Sequence, residues 1–399
     1  MASKIIKACG LDAGSRRTRC VACVVENGRI ELKGYAQTDS IGWTNGTIAD
    51  PGAVTECMHW VLREVEHVSG LQLEEVVAGV GGPTVRGHNA RGHLHLGRPR
   101  EITQRDVNKV VNNALRVQLP EDRMVLQICQ QDFMVDDHPG HRDPRRMIGT
   151  EIELNVHLVT GSIQEHATLV TSVHQAHMAV EETIFEGMAA CHAAVLPPDR
   201  REGIALVDIG AQSTDLVVYY GDALQLATTL RVGGDHFTRD VVHGLKIGFE
   251  DAEMVKEEYG SAISSSTSES STVEVPPRDD RDGREISRAA LNKILESRAV
   301  DLFKFVYREI ARVGMETALV GGIVLTGGGS KLADLCVVAE DVMQCQARKG
   351  LPLGIMNWPA EIYDPEWTTV AGLAMYSGRL KLQGEMERQS VGLLGRMLK

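Results

Sequence analysis

A chain of 399 residues, 43% hydrophobic and 24% charged, has the composition of a folded globular protein too long for one small core, so more than one domain is expected. Its formal net charge of −12 excludes nucleic acid as a general partner, because neutralising phosphates takes clustered Lys and Arg. No stretch approaches the ~20 apolar residues of a spanning helix, and the opening MASKIIKACG has no secretory apolar core, so the expectation is a cytoplasmic chain.

In chain order, the apolar run Ile5–Leu11 breaks into Asp12-Ala13-Gly14-Ser15-Arg16-Arg17-Thr18, and Cys20–Val25 resumes it up to a turn at Asn27-Gly28. Strand, tight turn, strand describes a hairpin whose tip approaches something closely. Glycine lets backbone N–H groups come near a phosphate, the hydroxyls add donors, and an Asp at the strand end suits a Mg²⁺ that keeps its waters. Asp50-Pro51 then opens a helix, because Val54, Cys57, Met58, Val61, Leu62, Val65 and Val68 recur at helical spacing up to Gly70. Val76–Val80 is a short buried strand stopped by Gly81-Gly82-Pro83, and strand, helix, strand is the alternation of a wound α/β domain.

Between Thr84 and Thr160 the composition shifts to His- and Arg-bearing segments. A helix from Thr103 through Leu115 and strands at Met124–Val135 and Ile152–Val159 suggest a small α+β insertion. Ile163–Ala194 returns to helix, strand, helix.

Gly203–Tyr220 repeats the opening pattern. Ile204–Val207 ends at Asp208, passes through Ile209-Gly210-Ala211-Gln212-Ser213-Thr214, and resumes as far as a turn at Gly221-Asp222. Both copies set Asp two residues before Gly, and the duplication implies two similar domains facing each other across a nucleotide. Val232-Gly233-Gly234-Asp235 precedes an amphipathic helix, Phe237–Leu245; its glycines either bring backbone to the phosphates again or form a turn. The helical piece Asp251–Tyr259 puts Glu253 and Lys256 on one face, an ordinary exposed ion pair unless a ligand lies there.

Ser264–Ser271 and the charged Pro276–Gly283 together describe a flexible loop, and Ala289–Val313 a long amphipathic helix. In Gly321–Leu335 an apolar strand breaks into Gly327-Gly328-Gly329-Ser330 and a helix start, leaving bare backbone for a nucleoside beside a positive helix end. In Glu387–Lys399 a helical wheel sets Val391, Leu393, Leu394, Met397 and Leu398 opposite Arg388, Arg396 and Lys399. That pattern suits a helix in an anionic membrane interface, ordered only on lipid because of Gly392 and Gly395; a helix docked on the protein itself is the alternative.

The 8 cysteines are expected to be reduced core thiols. Cys20-Val21-Ala22-Cys23 lies on a strand, where residues three apart face opposite sides, so no metal pair is expected. Among the 14 histidines, His88, His93, His95, His138 and His141 lack Cys or carboxylates at ligand spacing, and surface or packing roles are expected.

In this order and spacing, the two Asp–Gly turns and the glycine-rich strand end resemble the two phosphate loops and the adenosine loop of the actin-like ATPase superfamily. Within it, Gly10–Thr18, Thr103–Val111, Glu151–Thr160, Ile184–Ala190, Val207–Leu216, Ala252–Gly260, Gly322–Gly329, Trp367–Tyr376 and a basic tail together resemble the FtsA family of bacterial cell-division proteins over nearly the whole chain. The resemblance implies a two-lobed actin-like α/β fold with duplicated ATPase domains. Its first lobe would comprise 1–83, 161–200 and 358–381, with a small α+β subdomain inserted at 84–160. The second lobe would have its core at 201–235 and 318–357 and an outer subdomain at 236–317, with a short linker and amphipathic helix at 382–399.

The implied cofactors are ATP and Mg²⁺. Asp12 and Asp208 would organise the metal, and Gly14, Ser15, Arg16, Thr18, Gly210, Gln212, Ser213 and Thr214 the phosphates, helped by Gly233 and Gly234. Glu253, Lys256, Gly327, Gly328, Gly329 and Ser330 would take the adenosine. Glu186 stands where the superfamily's connecting helix begins, and either orients an attacking water or is a first-turn carboxylate favoured by the helix dipole.

Biologically, the resemblance implies a slow ATPase at most, which tethers FtsZ to the cytoplasmic face of the membrane at the division septum. The outer second-lobe subdomain would grip the FtsZ C-terminal peptide, and the protein would assemble into filaments and meet other division proteins. The competing readings are a PilM-like pilus-assembly scaffold, for which the basic tail has no reason, and a sugar-kinase-like phosphotransferase, for which no sugar-side base is marked.

Overall fold

The two-residue turn Asn27-Gly28, both residues at positive φ (52° and 75°), joins β2 (Arg17–Glu26) to β3 (Arg29–Asp39), and β1 (Ile6–Ala13) pairs antiparallel with β2. The computed structural model describes residues 5–275 and 283–397, with side chains as far as Glu385. Helix α1 (Pro51–Ser69) starts where Asp50 Oδ1 accepts the N–H groups of Gly52 and Ala53 and ends at Gly70 with φ 66°. β4 (Glu75–Val80) pairs parallel with β1. Alternate residues of β2 leave on opposite faces: Cys20 and Ala22 pack with Val54, Met58, Val61 and Leu62 of α1, while Val21, Cys23 and Val25 pack with Trp367 and Val370. Cys20 and Cys23 therefore cannot share a metal.

The insertion is a sheet of β5 (Arg86–Glu101), β7 (Ile148–Ser162) and β6 (Arg123–Val135), in that spatial order, with α2 (Gln104–Ala114) on one face over Phe133, Ile152, Leu154 and Val156. β5 has no counterpart among the strands expected from the sequence. Gly92 makes it possible, since a Cβ there would stand 2.1 Å from the Val110 carbonyl oxygen of α2. α3 (Ile163–Gln175), β8 (Ala179–Phe185) and α4 (Glu186–Ala194) return the chain to the first lobe, whose sheet runs β8-β4-β1-β2-β3 and ends on Ile355–Met356.

The second lobe repeats the opening. β9 (Ile204–Ile209), β10 (Thr214–Tyr220) and β11 (Ala223–Leu230) form an antiparallel meander, its second turn at Gly221 and Asp222 (φ 61° and 66°). α5 (Gly234–Leu245), α6 (Phe249–Tyr259), the hairpin β12 (Thr272–Val275) and β13 (Arg284–Ser287), and α7 (Arg288–Arg312) build its outer part over one core. β14 (Ile323–Thr326) lies parallel to β9, and α8 (Leu335–Met343) follows. α9 (Thr368–Met397) then crosses α4 so closely that a Cβ on Gly372 would stand 1.8 Å from the Ala189 carbonyl oxygen.

β11 is an edge strand, and the insertion covers it. His157 Nε2 accepts the Ala227 N–H (3.1 Å) and Val85 O accepts the Thr229 N–H (3.3 Å). Arg86 Nη1 donates to Thr229 O (3.0 Å) and Gln131 Nε2 to Leu224 O (2.7 Å). An edge that would otherwise invite strand addition is thereby occupied.

Two expectations change. Ser264–Thr272 is fastened to α7 and not loose: Ser264 Oγ donates to Glu296 Oε2, Asn292 Nδ2 donates to Thr267 Oγ1 (2.7 Å), and Val273 and Val275 beyond it are buried. The Pro276–Asp282 part of that loop lies outside the described residues. No linker interrupts residue 382, since no proline or special dihedral stops α9, which runs unbroken to Met397. The apolar and basic faces of Glu387–Lys399 lie outside the described side chains.

Candidate functional site

The two Asp–Gly turns meet across a cleft of about 590 Å³ between the lobes. β1 brings Asp12 to its wall, β9 brings Asp208, β10 brings Asp215, and the first turn of α4 brings Glu186. Burial, with a push from Asp208 and against the pull of Arg19, lifts the Asp12 carboxyl to about 7. Burial, then Asp12, Asp215 and Asp208, raise Glu186 well above the usual carboxylate range. Asp215 is raised likewise by burial, although the Thr229 hydroxyl donates to it (2.6 Å). Burial also raises Asp208, which Thr369 Oγ1 holds at 2.6 Å. Four carboxyls crowded out of water repel one another unless a cation lies among them, and an all-oxygen donor set fits Mg²⁺ held largely through waters.

Glu186 has a seat cut for it. A Cβ on Gly81 would stand 2.1 Å from its Oε2, and one on Gly79 2.8 Å from its Cγ, so β4 must end in glycines for the carboxyl to reach the cleft. From the sequence alone Gly81 is expected only as a strand stop. Gly327 does the same for Asp208, with a Cβ position 2.3 Å from Oδ1 and a φ of 78° that glycine alone tolerates easily.

Gly14, Ser15, Arg16, Gly210, Ser213, Gly234, Glu253, Lys256, Gly327, Gly328 and Gly329 also line the cleft. Glu253 and Lys256 are not an exposed pair. Their side chains are 10% and 12% accessible, joined at 2.6 Å, with Lys256 Nζ also donating to Thr238 Oγ1 at 2.8 Å. Burial works to raise the Glu253 carboxyl, but Lys256, Thr238 and Arg16 together hold it below its ordinary range. Arg16 reaches across from the first lobe to Glu253 (3.5 Å) and Glu257 (3.9 Å).

Five expected ligands are employed elsewhere. Thr18 is fully buried and shares a 2.7 Å hydrogen bond with Ser40. Gln212 Oε1 accepts the Gly46 N–H of the first lobe (2.6 Å), so it ties the two lobes together. Thr214 Oγ1 donates to Val232 O (2.7 Å), and Ser330 Oγ to Gly327 O (2.7 Å). Gly233 is a packing glycine: its N–H goes to His236 Nδ1 (3.1 Å), and a Cβ would stand 2.7 Å from the oxygens of Gly210 and Ala211. The helix expected directly after Gly329 is a single 3-10 turn, Gly328–Lys331, because Asp334 (φ 61°) cannot sit inside a helix and α8 begins only at Leu335.

Sequence reasoning missed an ion-pair chain along the same wall. Arg19 Nη2 donates to Glu366 Oε2 (2.6 Å) and lies over the Trp367 ring (5.3 Å), while Lys331 Nζ meets Asp364 (3.1 Å) and Glu366 (3.5 Å). These residues are far apart in sequence and carry no local pattern. Asp215 was legible in principle, as the next carboxylate on the duplicated hairpin.

A model described as "Cell division protein FtsA" matches residues 205–372, and one described as "SHS2 domain inserted in FTSA" matches 82–160. The chain is 30% identical over 370 residues to Cell division protein FtsA of Borreliella burgdorferi, covering 92% of this chain and 90% of that one. With the protein of the same name from Pseudomonas aeruginosa the identity is 29% over 387 residues, 97% of this chain and 92% of the other. Among solved structures, a PilM-PilN type IV pilus biogenesis complex superimposes with a TM-score of 0.67 at 17% identity, over 93% of this chain and 98% of that chain. MreB 5 of Spiroplasma citri bound to AMPPNP superimposes with a TM-score of 0.57 at 14% identity, over 96% and 98%. These structures share the two-lobed actin-like fold.

Proposed function

Because the chain belongs to the FtsA family of cell division proteins, we propose that it is an ATP-binding actin-like protein that tethers FtsZ to the cytoplasmic membrane at the division site. The observation that carries the nucleotide half is the inter-lobe cleft in which Asp12, Asp208, Asp215 and Glu186 converge beside two hydroxyl-bearing glycine turns. Asp12 and Asp208 would hold Mg²⁺ through its waters. When bound, the ion supplies charge neutralisation for the phosphates and for the carboxyls around it. Ser15 and Ser213 donate to phosphate oxygens, Gly14 and Gly210 keep Cβ atoms out of their way, and Arg16 brings a positive charge to the same end. Gly327–Gly329 leave a flat floor for the nucleoside, with the paired Glu253 and Lys256 opposite. Glu186, whose carboxyl burial and the neighbouring Asp12, Asp215 and Asp208 raise above the usual range, would orient a water beside the phosphates through its carboxyl oxygens, which is the role of a water-orienting group in a slow ATPase. The nucleotide bound by the MreB 5 relative agrees with this use of the fold.

Calorimetric titration of Mg·ATP into wild type, Asp12→Ala and Asp208→Ala tests the site; unchanged affinity in both variants rejects it. Tethering is tested by pulling down the FtsZ C-terminal peptide and by co-sedimentation with anionic liposomes, for the full chain and a truncation after Gly384. Equal sedimentation of the two chains rejects the tail as the anchor, and failure to retain the peptide rejects the FtsZ role. Assembly into filaments belongs to the same proposal, and electron microscopy of the Mg·ATP-loaded chain on anionic lipid checks it.

A further inference from the structure

We propose that the insertion carries a transition-metal site formed by His93, His95 and Glu151, separate from the nucleotide cleft. His93 and His95 are two apart on β5 and so share a face, the one turned away from α2, since Leu94 and Leu96 between and beyond them pack on the α2 side. β7 runs antiparallel beside β5 with Glu151 directly opposite His95. His93 Nε2 lies 3.3 Å, and His95 Nδ1 3.4 Å, from the same Glu151 oxygen, and the three donor atoms lie within 4.8 Å of one another. Ligands about 2.0–2.1 Å from a tetrahedral Zn²⁺ stand about 3.3 Å apart. Two of the three edges of such a site therefore already have the required length. The imidazoles meet edge to face with centroids 4.6 Å apart, which keeps their nitrogens converging.

The donor set selects the ion. Two imidazoles and one carboxylate suit Zn²⁺, Co²⁺ or Ni²⁺, whereas Mg²⁺ and Ca²⁺ favour oxygen alone. The backbone behind the ligands is fastened, with the Glu151 N–H donating to Asp136 Oδ1 (3.0 Å) and Asn113 Nδ2 donating to His93 O (2.9 Å). The histidine side chains are 43% and 72% accessible, so the ion enters from solvent and its remaining position faces outward, filled by water. Bound there, it clips the edge strand β5 to β7. Sequence spacing hid the site because the carboxylate is 58 residues beyond His93 and only the strand pairing brings it across.

The test uses the full chain, stripped with EDTA and kept reduced with a phosphine. Calorimetric titration with ZnCl₂ should show one ion per chain, and Co²⁺ should give weak visible d–d bands without the charge-transfer band of a thiolate ligand. His93→Gln and His95→Gln should each weaken Zn²⁺ binding at least about tenfold, because even an outer-shell partner is worth 10–100-fold. Both variants should also lose the Zn²⁺-dependent rise in melting temperature while melting like wild type without metal. Wild-type chain that takes up no Zn²⁺ at micromolar concentration, or Gln variants that bind it as wild type does, would overturn the proposal.

Discussion

The contact between His157 and Ala227 makes the joint between insertion and second lobe acid-sensitive. His157 is 1% exposed, with Nδ1 2.6 Å from Asn89 Oδ1 and Nε2 accepting the Ala227 N–H, so both nitrogens are used by the neutral ring. A proton on Nε2 would face another N–H. Burial first, then His88 and Arg312, lower its pKa from 6.5 to about 4. Since the folded value lies below the unfolded one, the unfolded chain takes up the proton first as pH falls. Stability from this group is complete above pH 6.5 and is lost between 6.5 and 4. At 1.36 kcal/mol per unit, about 2 kcal/mol goes between pH 7.5 and pH 5 and about 3 kcal/mol over the whole window. His157→Gln removes the titration, so the difference in urea unfolding free energy between wild type and variant should shrink by about 2 kcal/mol on going from pH 7.5 to 5. Hydrogen exchange at the Ala227 amide should accelerate over the same range in wild type. Parallel pH profiles for the two proteins would refute the argument.

Gly372→Ala forces a methyl into the Ala189 carbonyl, backbone against backbone, and should destabilise by about 3 kcal/mol or more, whereas Gly384→Ala, with no atom within 4 Å of its Cβ position, should gain roughly 0.5–1 kcal/mol of helix propensity; thermal melts of the two compare them. Thr18→Val should leave Mg·ATP affinity unchanged by calorimetry, because its hydroxyl is spent on Ser40. Arg298, on the outer face of the second lobe, is held in a two-pronged pair with Asp240 (2.6 and 3.0 Å). Arg298→Glu should therefore cost about 1 kcal/mol in stability, and adding Asp240→Arg should restore it in a denaturant titration.

Where chemistry is local, the sequence was informative. Asp50-Pro51 and Gly70 bounded α1, and Asp12 and Asp208 announced the cleft because each sits a fixed two residues before a turn glycine. What escaped was set by partners distant in the chain. Arg86–Glu101, rich in Gly, Arg and His, has weak strand character of its own and becomes β5 because β7 pairs along nearly all of it and α2 closes on Gly92. Thr18, Thr214 and Ser330 carried the right hydroxyls in the right motifs, yet strand alternation and local backbone acceptors turned them inward. The seat of Glu186 required knowing that β4 ends beneath α4.

The crossing of α4 and α9 has a mechanical meaning. Each helix stands beside one of the chain's passages between the lobes, and at Gly372 their backbones touch with no side chain between them to yield. One helix cannot slide along the other without first lifting away, so the two are pinned in register at that point, like scissor blades at their rivet. The ties between the lobes, Arg16 to Glu253 and Gly46 to Gln212, are by contrast single side-chain contacts, and they part at far less cost than backbone packed on backbone.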